Sequence, residues 1–258
     1  MSKFLLPAAV VLVLLGIWEA GAQSGVIADI LGIRESAGTV LVPAPSEIGE
    51  SLWQDRELLL DNSWITMQEI GLGLAISVML GIGFAVAMHM SEIMRHAFYP
   101  LVVASQTVPI VAIAPVLVIL LGFGIGPKLA IIALICFFPI TVATLDGLRA
   151  VDPAAVRMMR TLDADRLAIL RRLELPAALP HFLSGAKIAV AIAAIGAVFG
   201  EFVSADEGLG HVIRQAQANL LTARVFAAVV VLSVFSLALF GLLSLIERRV
   251  SWWGKSVD

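Results

Sequence analysis

Side chains able to do chemistry are sparse in this sequence, and four of them lie where they are costly. Glu69, Gln106, Thr107 and Glu201 each interrupt a long apolar run. Groups of this kind need a protein or water-lined partner when buried in an apolar medium. Each therefore marks a helix-packing hydrogen bond or the wall of a polar pathway. Gln106-Thr107 precedes Pro109, whose missing N–H frees a carbonyl near the middle of its run. Gln106, Thr107 and Pro109 are thus candidate pathway residues. Glu201, just after Gly200, is another, able to gate or to bond a neighbouring backbone. Glu69 falls early in its run and is expected to complement a helix N-terminus. His89 and His96 flank Glu92 and Arg95 and read as solvated residues around a turn. No phosphate-cradling loop, metal-ligand cluster or nucleophile–base set occurs, so no catalysis, cofactor or metal is expected of the chain itself. Cys136, in an apolar run, reads as a small buried residue.

The elements that carry these groups follow from composition. Of 258 residues, 60% are hydrophobic and 14% charged, against roughly 25% charged in a soluble domain. Such a chain lacks the polar shell of a water-soluble fold and is expected to use the bilayer as its solvent. A net charge of −3 without a basic domain argues against nucleic acid as a partner. Six stretches are apolar and long enough to span, at roughly 4–22, 65–88, 98–123, 127–146, 182–203 and 224–246. The third contains Pro100, Pro109 and Pro115 and should be broken or kinked. The expectation is an all-α polytopic membrane protein in a single domain.

Charge sets its orientation. With the N-terminus inside, eleven of the 17 Lys and Arg fall in inner segments, five in outer ones, and Lys187 lies within a span. Both termini and residues 147–181 are then cytoplasmic. Lys128 counts among the outer charges. The first run, ending in Ala-Gly-Ala before Gln23, has an alternative reading as a cleaved signal peptide; a retained span is the preferred one. In the outer loop, Ser46 can N-cap a short helix with Glu47 and Glu50 in its first turn. Ile48, Leu52 and Trp53 then share one side, which suits either an interfacial helix or a solvated one.

Residues 152–176 break the hydrophobic pattern. Asp152 and Pro153 form a helix start, and Val156, Met159 and Leu162 follow at helical spacing. After Asp163-Ala-Asp165, a second helix over 165–174 aligns Leu167, Leu170 and Leu173, with arginines opposite, and Pro176 is expected to end it. A solvated loop, an anionic-lipid patch weakened by the interspersed acids, and a docking element for a cytoplasmic protein are all compatible with this pattern.

The spacing resembles the EAA loop, E-A-A-x3-G-x9-I-x-L-P, of permease subunits of bacterial binding-protein-dependent ABC importers. Arg157-Met158-Met159 stands at the Glu-Ala-Ala position, Asp163 at the glycine, and Leu173-Glu174-Leu175-Pro176 at the end. LVPAPSEI, TVPIVAIAPVLVILLGFGIGPK and GEFVSADEGLGHVI resemble, in order, segments of the nitrate/sulfonate/taurine-type permeases. The resemblance implies a type I importer permease fold with six membrane helices and a coupling loop between the fourth and fifth. It implies as partners a second permease copy, two cytoplasmic ATP-binding subunits and an extracytoplasmic solute-binding protein, in a bacterial inner membrane. Arg157, Met159, Asp163, Leu167, Leu170, Leu173, Leu175 and Pro176 are the expected coupling residues, with the leucines as apolar anchors. At the glycine position, Asp163 is expected to take positive φ and to cap the following helix. TMQEIGLG and ANLLTARVFAAVVVLS look more like the branch handling thiamine pyrimidine precursors or riboflavin than the sulfonate, taurine and nitrate branch. An ATP-independent carrier or a membrane scaffold is the alternative class. A carrier would be expected to show mid-span coupling acids and internal repeats, and a scaffold does not explain the proline-broken span.

Overall fold

The computed structural model describes residues 2–26, 42–204 and 206–250, and the described residues form helices and no strands. In chain order these are α1 (Ser2–Gln23), α2 (Pro45–Gln54), α3 (Arg56–Met90), α4 (Glu92–Ser105), α5 (Ile110–Leu121) and α6 (Ile125–Arg149). Then come α7 (Pro153–Thr161), α8 (Arg166–Ile169), a π-helical turn (Leu170–Glu174), α9 (Leu175–Ser204), α10 (Leu209–Ala218) and α11 (Thr222–Val250). Among the described residues, five helical segments are long and apolar enough to cross a bilayer. The pair α4–α5, bent by 106°, makes a sixth if counted as one broken span. The chain divides into two compact units, Met1–Ile65 with Asp206–Ser233, and Thr66–Ala205 with Val234–Asp258.

In the first unit, polar side chains join helix ends. The Glu19 carboxylate accepts the Ser46 hydroxyl at 2.6 Å and the Ser46 N–H at 3.0 Å. Ser46 is therefore not the expected cap. The helix begins one residue earlier, at Pro45, because proline suits a first helical position. Glu47 instead accepts the Ala44 N–H at 2.9 Å. Ile48 is buried and Trp53 exposed, with the Arg56 guanidinium 5.1 Å from the Trp53 ring centre. Arg224 grips Asp55 through two hydrogen bonds, of 2.9 and 2.7 Å. Burial works to raise the Asp55 pKa, but the hydrogen bonds from Arg224 and Ser51 and the Arg224 charge prevail and hold it below the usual carboxylate range.

The second unit is built on the packing of α9 against α6. Small residues make the close approach possible. A Cβ on Gly185 would lie 2.5 Å from the Pro139 carbonyl oxygen, and one on Gly200 would lie 3.0 Å from the Lys128 Cα. Gly73 and Gly81, eight residues apart on α3, face Ile132 and Ile140 of α6 in the same way, whereas Gly71 and Gly83 meet open space. Ala85, Met88, Leu145, Leu148, Leu170 and Ala178 form a buried cluster where α3, α6, the π turn and α9 meet. Cys136 is buried, its thiol 3.3 Å from the Ala189 carbonyl oxygen.

Pro176 does not end the second cytoplasmic helix. Arg166–Ser204 is one continuous 39-residue helical segment. A proline inside a regular helix clashes with the carbonyl four residues earlier and lacks a donor. Here the preceding π turn widens the backbone, with the Leu175 N–H bonded to the Leu170 carbonyl, and so gives the ring room.

Candidate functional site

Three groups of residues bear on function, all within the second unit. The first is the break between α4 and α5. The backbone leaves the helix after Ser105 and resumes at Ile110, so the interruption falls on Gln106, Thr107, Val108 and Pro109. Thr107 returns its hydroxyl to the Ala104 carbonyl at 2.8 Å. Gln106 and Pro109, with Ser105, Ile113, Ile135 and Ile192, line a cavity of about 350 Å³ whose described lining carries no charged side chain. An apolar wall with an amide and a hydroxyl suits a small uncharged solute.

The second group is buried. Lys128 Nζ lies 2.6 Å from Glu69 Oε1, and both residues are more than nine-tenths buried. Glu69 is far inside α3 rather than near its start, because that helix begins at Arg56, well before the apolar run. Lys128 is likewise no solvated outer charge; it belongs to the first turn of α6 and points at Glu69. Thr66, one turn before Glu69, donates its hydroxyl to Glu201 Oε1 at 2.6 Å. Glu201 is fully buried. It sits inside this packed cluster and does not border the cavity at the break. Neither pairing was legible in the sequence, since 59 and 135 residues separate the partners.

The third group is the coupling segment. Asp152 caps α7 by accepting the Ala154 N–H at 2.7 Å. Asp163 has φ +56°, the left-handed conformation expected where the motif has glycine. The cap on the next helix comes from Asp165, which accepts the Ala168 N–H at 2.7 Å, and not from Asp163. Leu170 is 5% exposed and Leu175 packs on the same internal cluster. These two serve the chain's own core, and Leu173 is half-buried. The exposed apolar side chains are Met158, Leu162 and Leu167, at 61%, 70% and 45%. Arg157 is exposed and Met159 half-buried on α7. His89, expected to be solvated, is largely buried, with Nε2 2.8 Å from Glu174 Oε2. Arg166 reaches the His89 carbonyl oxygen at 3.1 Å, so the end of α3 is tied to the segment twice.

Residues 77–252 match the family of binding-protein-dependent transport system inner membrane components. The chain belongs to that family. A probable ABC transporter permease protein of Haemophilus influenzae is 36% identical over 97% of this chain and 98% of its own length. The formylaminopyrimidine transport permease protein ThiX of Halalkalibacterium halodurans is 35% identical over 96% of both chains. In fold, an inward-facing form of the MetNI methionine ABC transporter superposes with a TM-score of 0.67 at 18% identity, covering 76% of this chain and 98% of that one. This permease is thus a multi-pass subunit of an ABC importer of the inner membrane, with the type I fold. It is not itself an enzyme, and permeases of the family work with ATP-binding subunits and a solute-binding protein.

Proposed function

We propose that this permease imports a small uncharged heterocyclic solute, a thiamine pyrimidine precursor or a related vitamin, through a pathway at the α4–α5 break. The observation that supports this reading is the cavity beside Gln106 and Pro109, which pairs isoleucine walls with an amide and a hydroxyl and has no charged lining group. A sulfonate or nitrate would favour a cation there. The likeness to a formylaminopyrimidine permease points the same way. Gln106 is the hydrogen-bonding group for the solute, and Thr107 and Pro109 hold the break open. Glu201 holds α3 to α9 from within the packed cluster.

Two copies of the chain assemble with two ATP-binding subunits. Both termini and residues 147–181 face the cytoplasm, as the distribution of Lys and Arg favours. The ATP-binding subunit grips α7 and the following turn, with Met158, Leu162 and Leu167 as apolar anchors. Asp163 sets the bend, and Leu170, Leu173, Leu175 and Pro176 carry motion from it into α9.

The test is reconstitution in vesicles with the ATP-binding subunits and the solute-binding protein. Formylaminopyrimidine should stimulate ATP hydrolysis and uptake, taurine should not, and Gln106→Leu should cut uptake about tenfold, the effect of losing one hydrogen bond to solute. Stimulation by taurine alone would assign the chain to the sulfonate-type importers. Uptake undiminished without the ATP-binding subunit would remove the coupling scheme.

A further inference from the structure

Away from the break, a second cavity in the same unit has a positive charge that the described residues leave unbalanced. It measures about 420 Å³ and lies where α3 and α6 end and α4 and α7 begin. Five arginines line it: Arg95, Arg149, Arg157, Arg160 and Arg166. Its two acidic lining groups are already engaged. Glu92 pairs with Arg95, and Glu174 lies 2.8 Å from His89. Arg166 donates to uncharged partners, the His89 carbonyl oxygen at 3.1 Å and the Met90 sulfur at 3.5 Å. Arg149, Arg157 and Arg160 have no side-chain partner among the described residues.

The other acids of the segment do not compensate. Asp152 and Asp165 hold the Ala154 and Ala168 N–H groups as caps, and neither lines the cavity. Asp163 occupies the left-handed turn, also outside it. The interspersed acids that weaken a lipid-binding reading of the sequence are thus turned elsewhere. Four of the guanidinium groups around the cavity thus have no carboxylate partner among the described residues.

We infer that this cavity holds a phosphate-bearing anion, either a phospholipid headgroup or a free oligophosphate. Guanidinium forks match phosphate oxygens two at a time, and an anion relieves the mutual repulsion of the four charges. Basic pockets between the ends of membrane helices are sites of this type. On α7, Pro153, Val156, Arg157 and Arg160 turn to the cavity at spacings of three, four and seven, while Met158 is exposed and does not line it. One short helix thereby offers an anion-binding face and a separate apolar face. The inference does not depend on the transported solute.

The experiment uses the purified permease with its ATP-binding subunits in a zwitterionic detergent. Native mass spectrometry counts retained phosphatidylglycerol against phosphatidylcholine, and calorimetry titrates pyrophosphate. Preferential retention of phosphatidylglycerol that pyrophosphate does not displace identifies a headgroup site. Pyrophosphate binding that displaces the lipid identifies a free-anion site. In either case the Arg157→Gln/Arg160→Gln variant should bind about fivefold more weakly for each basic side chain removed, roughly twenty-five-fold for the pair. The wild type alone decides the matter should that variant misfold. No preference for phosphatidylglycerol together with no pyrophosphate binding overturns the inference, as does equal binding by a folded variant. Loss of ATP-binding-subunit association without any anion binding would also overturn it, placing an acidic segment of that subunit in the cavity.

Discussion

The polar cluster inside the spans and the arginine cavity at the helix ends are two solutions to the placing of charge. In the first, Lys128 meets Glu69 and Glu201 meets Thr66, each at 2.6 Å and shielded from water. In the second, guanidinium groups stand together with few partners. The difference lies in the surrounding medium. A buried charge without a counterpart is expensive, whereas an arginine at a helix end keeps its hydration until something better arrives. Where a charge is closed off, the chain supplies its partner; where it is left open, the partner comes from outside.

Breaking the closed pair gives the largest expected effect. Lys128→Met strands the Glu69 carboxylate and should cost about 3–5 kcal/mol of stability. Glu69→Gln/Lys128→Met should recover most of it. Thermal unfolding in detergent measures both, and a single variant as stable as the double one would mean the pair is not closed. Asp163 probes the water-facing side. Asp163→Val should cost about 1–2 kcal/mol and impair coupling, because a side chain branched at Cβ resists positive φ. Asp163→Gly should keep stimulated ATPase activity, since glycine takes that backbone without steric cost. Equal activity of the valine variant would show that the turn is not left-handed in the working transporter.

Asp55 and Arg224 lie between these extremes, half-buried and fully paired. Asp55 releases its proton more readily in the folded chain than in the unfolded one. Its contribution is therefore complete above the ordinary carboxylate pKa of about 4 and is lost as pH falls through the lower folded value. Unfolding followed from pH 7 downward should show this acid limb, and Asp55→Asn should flatten it at the cost of lower stability at neutral pH. The smallest effect is expected in the open cavity. Without a bound anion, Arg157→Gln should change stability by no more than about 0.5 kcal/mol in either direction. A loss comparable to that of Lys128→Met would mean that Arg157 has a partner within the chain.

What could be read from the sequence divides along the same line. Local signals translated directly: the aspartate cap of α7, the positive φ of Asp163, and the interruption ahead of Pro109. Each depends on one or two residues and the backbone geometry they prefer. Pairings between distant helices did not translate. Glu69 and Lys128 each looked like a span-end charge, because nothing in either run points to the other. The leucines of the coupling segment failed for another reason. Helical periodicity places Leu167 and Leu170 on related faces, yet Leu170 is buried and Leu167 exposed. In a membrane protein, lipid, core and docking groove all accept leucine, so an apolar stripe does not say which of them it faces. Pro176 misled because the rule that proline stops a helix assumes regular α-helical spacing upstream.

That irregular spacing has a consequence for what any insertion or deletion would do here. The π turn at Leu170–Glu174 holds one residue more than a regular helix would in the same stretch. Everything ahead of it, from Asp165 onward, is accordingly out of phase with α9 by about 100°, the angle one residue subtends in an α-helix. Removing a single residue within the turn would restore a uniform helix and swing Arg166 around its circumference, away from the His89 carbonyl it now holds. The turn is a phase shifter: it fixes the azimuth at which the long helix meets the arm that drives it.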